Sequence, residues 1–192
     1  MGDVYELSAE SGKLLWKTPV GKHNDNAAAG RLALEHKRTP KVPFRYEPGA
    51  LGGVLTNLAL AGNSLYVATV DLPFTMRASA TVNGLPASAG LAGEVEALNL
   101  TTGQVEWDTK VPSLPLGAAT VSNDLVFTTL FTGELLALNR TTGAIVYRQK
   151  LPTSTNAPIA IAGSTIIVPA GGIKTSAKAK DGHPQVVAYR LP

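Results

Sequence analysis

An internal repeat constrains this chain more than any other feature of its sequence. "GEVEALNLTTGQVEW" at residues 93–107 recurs forty positions later as "GELLALNRTTGAIVY" at residues 133–147, and "GDVYELSAESGKLLW" at residues 2–16 is a weaker copy. Each copy has an alternating apolar run, a turn rich in Asn, Thr or Ser that ends in Gly, and a second alternating run. This order predicts a β-hairpin, because such polar side chains bond their own backbone and Gly supplies a positive φ. A fixed period predicts repeated supersecondary units that stack on one another.

A second β-rich pattern precedes two of these hairpins and recurs once more near the end of the chain. It is found as "TNLALAGNSLYVATV" at 56–70, "GAATVSNDLVFTTL" at 117–130 and "NAPIAIAGSTIIVPA" at 156–170. Two apolar runs flank a short turn signal each time, so each copy predicts another hairpin. Joined to the hairpin that follows it, each copy makes a four-stranded meander of about forty residues, the size of a propeller blade. A solenoid of β-arches is the alternative, although its repeats are usually shorter.

The pattern therefore predicts an all-β fold, a partial β-propeller of four-stranded antiparallel blades with about three blades in an incomplete ring. It divides the chain into a half blade (1–18), an insertion (19–52), a blade (53–108) with a loop insertion (71–92), a blade (109–149) and an incomplete blade (150–192). Because closed propellers typically have at least about four blades, the expected partners are missing blades or a second chain. Two chains of about thirteen strands would give about six and a half blades, which weighs against a neat two-chain ring.

Composition and charge weigh against a nucleic-acid partner, a membrane span and any site that needs cysteine. Hydrophobic residues make up 44% of the chain and charged residues 16%, which is typical of a compact β-protein. The net charge is only +3 and the basic residues are scattered, so we expect no nucleic-acid partner. No apolar run approaches the roughly eighteen residues of a membrane span, and the chain shows no signal peptide. The absence of cysteine excludes disulfides, thiolate zinc sites and covalent c-type haem attachment in this chain.

The repeats resemble a known family. "ALNLTTGQVEW" at 97–107 and "LLALNRTTGAIVY" at 135–147 are similar to the tryptophan-docking repeat A-x-D-x-x-T-G-x-x-x-W of the pyrroloquinoline quinone (PQQ) propellers, with Asn99 and Asn139 where Asp is usual. The resemblance implies that the aromatic residue locks neighbouring blades together and that PQQ lies on the propeller axis beside a calcium ion. Non-catalytic members, such as a lipoprotein scaffold of outer-membrane assembly, share the repeat.

Three further segments resemble the quinoprotein alcohol dehydrogenases of that family, in the same order along the chain. They are "YEPGALGGVLTNLALAGNSLYVATVDLP" at 46–73, "LVFTTLFTGELLALNRTTGAIVYRQKLP" at 125–152 and "APIAIAGSTIIVPAGG" at 157–172. The resemblance implies a C-terminal half of such an enzyme, which takes a hydride from an alcohol or sugar onto PQQ and passes electrons to a separate acceptor. It also implies a periplasmic or extracellular location.

Five residues are candidates for the site that the resemblance implies. Asp71 stands where the family places a calcium-ligating Asn, and a carboxylate is an equally hard oxygen ligand; the alternative is that Asp71 only begins a loop. Arg77 and Lys174 follow strand ends and are candidates for binding the carboxylates and carbonyls of PQQ. Gly171 and Gly172 would let the backbone approach a flat cofactor. Solvated loops and ordinary turns are the alternatives for these four.

One expected element of catalysis is missing. In the alcohol dehydrogenases an H-D-x-W-D type stretch after the tryptophan motif supplies the general base that takes a proton as hydride leaves. The corresponding residues 108–121, "DTKVPSLPLGAATV", have no carboxylate after Asp108. No catalytic residue is therefore assigned, and we expect the isolated chain to be inactive. A non-catalytic scaffold for protein–protein interaction and an inactive fragment are the alternative functions.

Overall fold

The computed structural model of the protein describes residues 2–24, 44–49, 51–76, 90–172 and 183–190. These residues form β-strands joined by turns and loops. Within these ranges no segment forms a helix that is long and apolar enough to cross a membrane. The strands are β1 (Asp3–Leu7), β2 (Leu14–Pro19), β3 (Phe44–Tyr46), β4 (Gly53–Val54), β5 (Ala59–Ala61), β6 (Ser64–Val70), β7 (Phe74–Met76), β8 (Gly93–Asn99), β9 (Val105–Val111), β10 (Thr120–Ser122), β11 (Leu125–Leu130), β12 (Glu134–Asn139), β13 (Ile145–Lys150), β14 (Ala160–Ala162), β15 (Thr165–Ala170) and β16 (Gln185–Arg190).

The strands assemble into antiparallel sheets that follow the chain order. β1 and β2 form the N-terminal hairpin, β10-β11-β12-β13 form the second blade, and β14-β15-β16 form the third sheet. In the first blade, β4 and β5 pair with the two ends of β6, so they act as one interrupted inner strand beside β6, β8 and β9. The predicted all-β fold, a partial propeller of four-stranded antiparallel blades, is confirmed.

The two predicted insertions contribute a small sheet of their own. β3 belongs to the insertion predicted at 19–52, and β7 belongs to the loop insertion predicted at 71–92. They pair antiparallel with each other, with Phe44 opposite Met76 and Tyr46 opposite Phe74. The remaining parts of both segments lie partly outside the described residues, and the proposed division of the chain into blades and insertions stays a prediction.

Local chemistry explains why the hairpin turns form where the repeat predicts them. The Asn99 side-chain oxygen accepts hydrogen bonds from the backbone N–H groups of Thr101 and Thr102, each at 3.1 Å. Asn139 does the same with its own two threonines at 3.0 Å. Both turns end in a glycine with φ of 71°, which an L-residue adopts only with strain. The Asn that replaces the usual Asp of the repeat therefore keeps its turn-forming role.

The core lies between the sheets, because the side chains of each strand alternate between two blade faces. Val95, Ala97 and Trp107 of the first blade are buried against Leu136 and Leu138 of the second. A separate apolar cluster joins the second blade to the third sheet, and another joins the first blade to the N-terminal hairpin. Each sheet is thus held by its neighbours along the chain.

Candidate functional site

The N-terminal hairpin is attached to the first blade by a tryptophan. Trp16 Nε1–H donates to the carbonyl oxygen of Leu100 at 2.9 Å, and the Thr18 hydroxyl donates to the carbonyl of Gly103 at 2.5 Å. A Cβ at Gly103 would lie only 2.6 Å from the Trp16 ring. The glycine of the turn therefore leaves the space into which the indole of the preceding sheet fits.

The same joint recurs one repeat later. Trp107 Nε1–H donates to the carbonyl of Arg140 at 2.9 Å, and the Thr109 hydroxyl donates to the carbonyl of Gly143 at 2.7 Å. A Cβ at Gly143 would lie 2.5 Å from the Trp107 ring. The two joints are built in the same way, as the docking repeat implies. Tyr147 occupies the third such position; it is 47% exposed.

Asp71 follows the last residue of β6 and is buried against the N-terminal part of the chain. Its Oδ1 accepts a hydrogen bond from the backbone N–H of Lys22 at 2.9 Å. Its own backbone N–H donates to the carbonyl of Ala92, which precedes β8. The predicted metal ligand therefore lies at the end of β6 next to the start of β8, where the chain leaves and re-enters the first blade.

Three further carboxylates lie on one face of the first blade, next to this point. Glu94 pairs with Lys110 across β8 and β9, and Glu96 pairs with Asp108. One oxygen of each of Glu94, Glu96 and Asp108 lies within 4.8 Å of the others. We call these three residues and Asp71 the carboxylate cluster.

The cluster is held by a few direct hydrogen bonds. Lys110 forms ion pairs with Glu94 and, at 2.9 Å, with Asp108. Glu96 accepts hydrogen bonds from the Thr69 hydroxyl at 2.9 Å and from the backbone N–H of Gly21 at 3.3 Å. Because Gly21 and Lys22 both donate to the cluster, the segment that leaves the N-terminal hairpin is fixed to the first blade through these carboxylates.

Burial changes the protonation of the two glutamates. It raises the pKa of Glu94 to about 7, with the nearby Asp71 adding to the rise and the Lys110 hydrogen bond opposing it. Burial also raises the pKa of Glu96 to about 7, against the hydrogen bonds from Thr69 and Gly21. Burial alone would lower the pKa of Lys110, but its bonds to Glu94 and Asp108 raise it overall. Glu94 and Glu96 thus titrate near neutral pH.

The second blade shows that the fold does not require acids at the positions of Glu96 and Asp108. Since Asn99 matches Asn139 in the repeat, Glu96 matches Leu136, and the partner Asp108 matches Arg148. Leu136 is fully buried in the joint between the two blades. The sequence shows this difference, because "GEVEALN" has Glu96 where "GELLALN" has Leu136. The spacing of the repeat could not reveal that Asp71 and Asp108 would lie near Glu96.

The other four predicted site residues follow β7 and β15 along the chain. Arg77 and Lys174 lie outside the described residues. Gly172 has φ of 74°, a conformation that favours glycine, and its N–H donates to the carbonyl of Ser154 at 3.2 Å. A Cβ at Gly171 would meet nothing within 4 Å among the described atoms. Their role in binding PQQ stays a prediction.

Comparison with known proteins decides the family. The sequence matches the family model described as "Outer membrane protein assembly factor BamB" over residues 1–117 and again over 91–187. The chain belongs to this family of PQQ-type repeat proteins. No curated protein matches the sequence significantly.

Solved propellers share the fold at low identity. Quinohemoprotein alcohol dehydrogenase from Comamonas testosteroni is 14% identical with a TM-score of 0.71, over 100% of this chain and 35% of that chain. Quinohemoprotein alcohol dehydrogenase ADHIIG from Pseudomonas putida HK5 is 14% identical with a TM-score of 0.65, over 88% of this chain and 31% of that chain. BamB from Moraxella catarrhalis is 16% identical with a TM-score of 0.52, over 99% of this chain and 43% of that chain. The PQQ-type repeat chain thus spans less than half the length of these proteins.

Proposed function

We propose that this chain is a section of a quinoprotein dehydrogenase propeller, in which Asp71 and Glu94 supply carboxylate oxygens for a calcium ion beside PQQ. The observation that carries the proposal is the meeting of these two buried carboxylates at the end of β6 and the start of β8. The order of the dehydrogenase-like segments along the chain supports it. The proposal includes a separate electron acceptor and a periplasmic or extracellular location.

The donor chemistry fits a hard divalent cation. Calcium prefers carboxylate and carbonyl oxygens, and the cluster offers only oxygen donors. The pKa of Glu94 is raised because burial and Asp71 both disfavour its charged form. A divalent cation would replace the proton and stabilise both carboxylates together, whereas Lys110 supplies a single positive charge.

The chain's own residues would hold and orient this site. The Lys22 N–H fixes one oxygen of Asp71, and the Lys110 ammonium pairs with Glu94. PQQ, when bound, would supply the hydride-accepting chemistry. Arg77, Lys174, Gly171 and Gly172 stay the proposed contacts to it.

Calorimetric titration of calcium into the purified chain at pH 8 tests the proposal. We expect binding that weakens about tenfold to a hundredfold in Asp71→Ala and in Glu94→Gln, since even loss of an outer-shell partner has that effect on metal affinity. The matched control is Glu134→Gln, because Glu134 occupies the equivalent position opposite Lys150 in the second blade. Equal heats of binding for wild type and both cluster variants would contradict the proposal. An absorbance titration with PQQ then measures cofactor binding separately.

A non-catalytic scaffold is the second candidate, and one feature favours it. The loop between β9 and β10, residues 112–119, carries no carboxylate where the dehydrogenases carry their general base. Its Ser113 and Leu114 are buried, so this loop packs as part of the core. If calcium and PQQ bind but a dye-linked assay with primary alcohols and aldose sugars shows no turnover, the scaffold function is favoured.

A further inference from the structure

Residues 20–24 run from the end of β2 past the carboxylate cluster, and we call them the strap. The backbone N–H of Gly21 donates to Glu96 at 3.3 Å, and the backbone N–H of Lys22 donates to Asp71 at 2.9 Å. A Cβ at Gly21 would lie only 3.1 Å from Asp71 Oδ1. The backbone of the strap therefore passes directly against the cluster and bonds two of its carboxylates.

The first end of the strap is fixed to the N-terminal hairpin. Val20 is fully buried beside Val67 and Leu98, in the apolar cluster that joins this hairpin to the first blade. The Val20 N–H donates to the carbonyl of Gly2 at 2.8 Å. His23 Nε2 lies 2.6 Å from the same carbonyl oxygen. The strap is thus bound to the residue that precedes β1 as well as being continuous with β2.

The other end of the strap is fixed through the small sheet of β3 and β7. The Asn24 N–H donates to the carbonyl of Glu47 at 3.1 Å, and the Glu47 N–H donates back to the Asn24 side-chain oxygen at 2.8 Å. The N–H of Gly49 donates to the carbonyl of Leu72 at 2.7 Å. Asp71 is therefore held on both sides, by the strap at its side chain and by the 47–49 segment at the residue that follows it.

The second joint has an equivalent tryptophan but lacks the chemistry of this link. Counted from the two docked tryptophans and from the paired strands, the donor and acceptor positions of the strap carry other residues there: Pro112 for Gly21, Ser113 for Lys22, Leu136 for Glu96 and Thr132 for Asp71. A proline has no N–H to donate, and a leucine cannot accept. A tryptophan joint can therefore form without the polar link, and the link is specific to the carboxylate cluster.

We infer that the strap is the positioning element of the proposed calcium site, and that calcium binding and docking of the N-terminal hairpin strengthen each other. The inference rests on the proposed function, in which Asp71 is a calcium ligand. A hydrogen bond on one oxygen fixes the orientation of a ligating carboxylate, whose second oxygen can still meet a cation. Because the strap continues directly from β2, undocking of the hairpin withdraws both N–H donors from the cluster.

This coupling acts in both directions. If calcium binds more tightly to the chain with a docked hairpin, bound calcium must favour the docked hairpin by the same factor. The inference thus predicts two observations, a calcium affinity that depends on the strap and a hairpin whose opening depends on calcium.

Calorimetric titration of calcium at pH 8 into Gly21→Ala measures the first. Gly21 has φ of 70°, and the new methyl group would overlap the Thr69 side chain, so the strap must shift although every acid is retained. We expect binding about tenfold to a hundredfold weaker, as for other losses of a group that orients a ligand. Gly12→Ala is the matched control and should bind calcium as the wild type does. Gly12 has φ of 67° in the same hairpin, but its Cβ would meet nothing within 4 Å among the described atoms.

A remote variant separates coupling from local distortion. Trp16 docks on Leu100 and Gly103, at the opposite end of β8 from Glu94. Trp16→Ala should nevertheless weaken calcium binding, because it undocks the hairpin that carries the strap.

Hydrogen exchange read by mass spectrometry, with and without calcium at equal ionic strength, measures the second observation. In the wild-type chain calcium should slow exchange in peptides covering β1 and β2, and leave exchange in β12 and β13 unchanged. A strap with a purely structural role would not make the exchange of the hairpin depend on calcium.

Failure of the inference differs from failure of the proposed function. The inference is overturned, and the calcium site stands, if Asp71→Ala weakens calcium binding but Gly21→Ala and Trp16→Ala bind as the wild type does. It is also overturned if calcium binds without slowing exchange in β1 and β2. A wild-type chain that gives no heat with calcium refutes the proposed site and the inference together. Circular dichroism checks that each variant is folded.

Discussion

At the scale of single residues, Glu96 is the least expected feature of the fold. It occupies a buried position that the second blade fills with Leu136, and burial raises the pKa of Glu96 to about 7. The folded state therefore holds a proton that the unfolded chain releases near pH 4.5. Protonation of Glu96 therefore adds to the free energy of unfolding. This contribution is fully present below about pH 4.5 and is lost as the pH rises through about 7.

This linkage predicts the effect of Glu96→Leu. The variant should show a smaller loss of unfolding free energy between pH 5 and pH 8 than the wild type, by about 2–3 kcal/mol. At pH 8 it should be the more stable protein, because the buried charge is gone. Urea unfolding followed by circular dichroism at both pH values measures this. Glu134→Gln is the control, and an unchanged pH slope in Glu96→Leu would refute the account.

At the scale of elements, the sequence predicts what local chemistry determines. The hairpins at Gly103 and Gly143 follow from Asn, Thr and Gly at fixed positions, and the docking motif predicts the joints they form. The repeat does not predict the interruption of the inner strand between β4 and β5. The pairing of β3 with β7 depends on contacts between segments remote in sequence. The carboxylate cluster also depends on contacts that the sequence pattern does not show. Asp71 was therefore its only member predicted as a metal ligand, and that prediction came from the family resemblance.

A substitution at Gly143 tests two effects of this glycine, its backbone conformation in the turn and the space it leaves for the tryptophan of the joint. Gly143→Ala forces an L-residue into φ of 71° and places a methyl group against the Trp107 ring. Gly163→Ala meets the same kind of backbone strain at φ of 57°, but with nothing within 4 Å of the new atom. We expect about 1 kcal/mol of destabilisation at Gly163 and about 2–4 kcal/mol at Gly143, where steric overlap adds to the strain. Equal losses in urea unfolding would mean that the indole moves aside freely.

At the scale of the whole molecule, the chain is a row of sheets in which each sheet contacts its neighbours, so its stability should resemble that of a repeat protein. Trp16 belongs only to the joint between the N-terminal hairpin and the first blade. Trp16→Ala should therefore release that hairpin without unfolding the second blade. It should also free the segment that donates to Glu96 and Asp71, since Gly21 and Lys22 follow the hairpin directly.

Hydrogen exchange read by mass spectrometry measures this release. In Trp16→Ala, exchange should accelerate in peptides covering β1, β2 and the start of β8, and stay slow in β11 and β12. Trp107→Ala should instead accelerate exchange on both sides of the second joint, because its indole lies in the larger core between the two blades. If Trp16→Ala accelerated exchange equally in every sheet, the molecule would unfold as one cooperative unit. In that case the joints would transmit the loss of one tryptophan across all the sheets, and stability would not divide by neighbouring pairs.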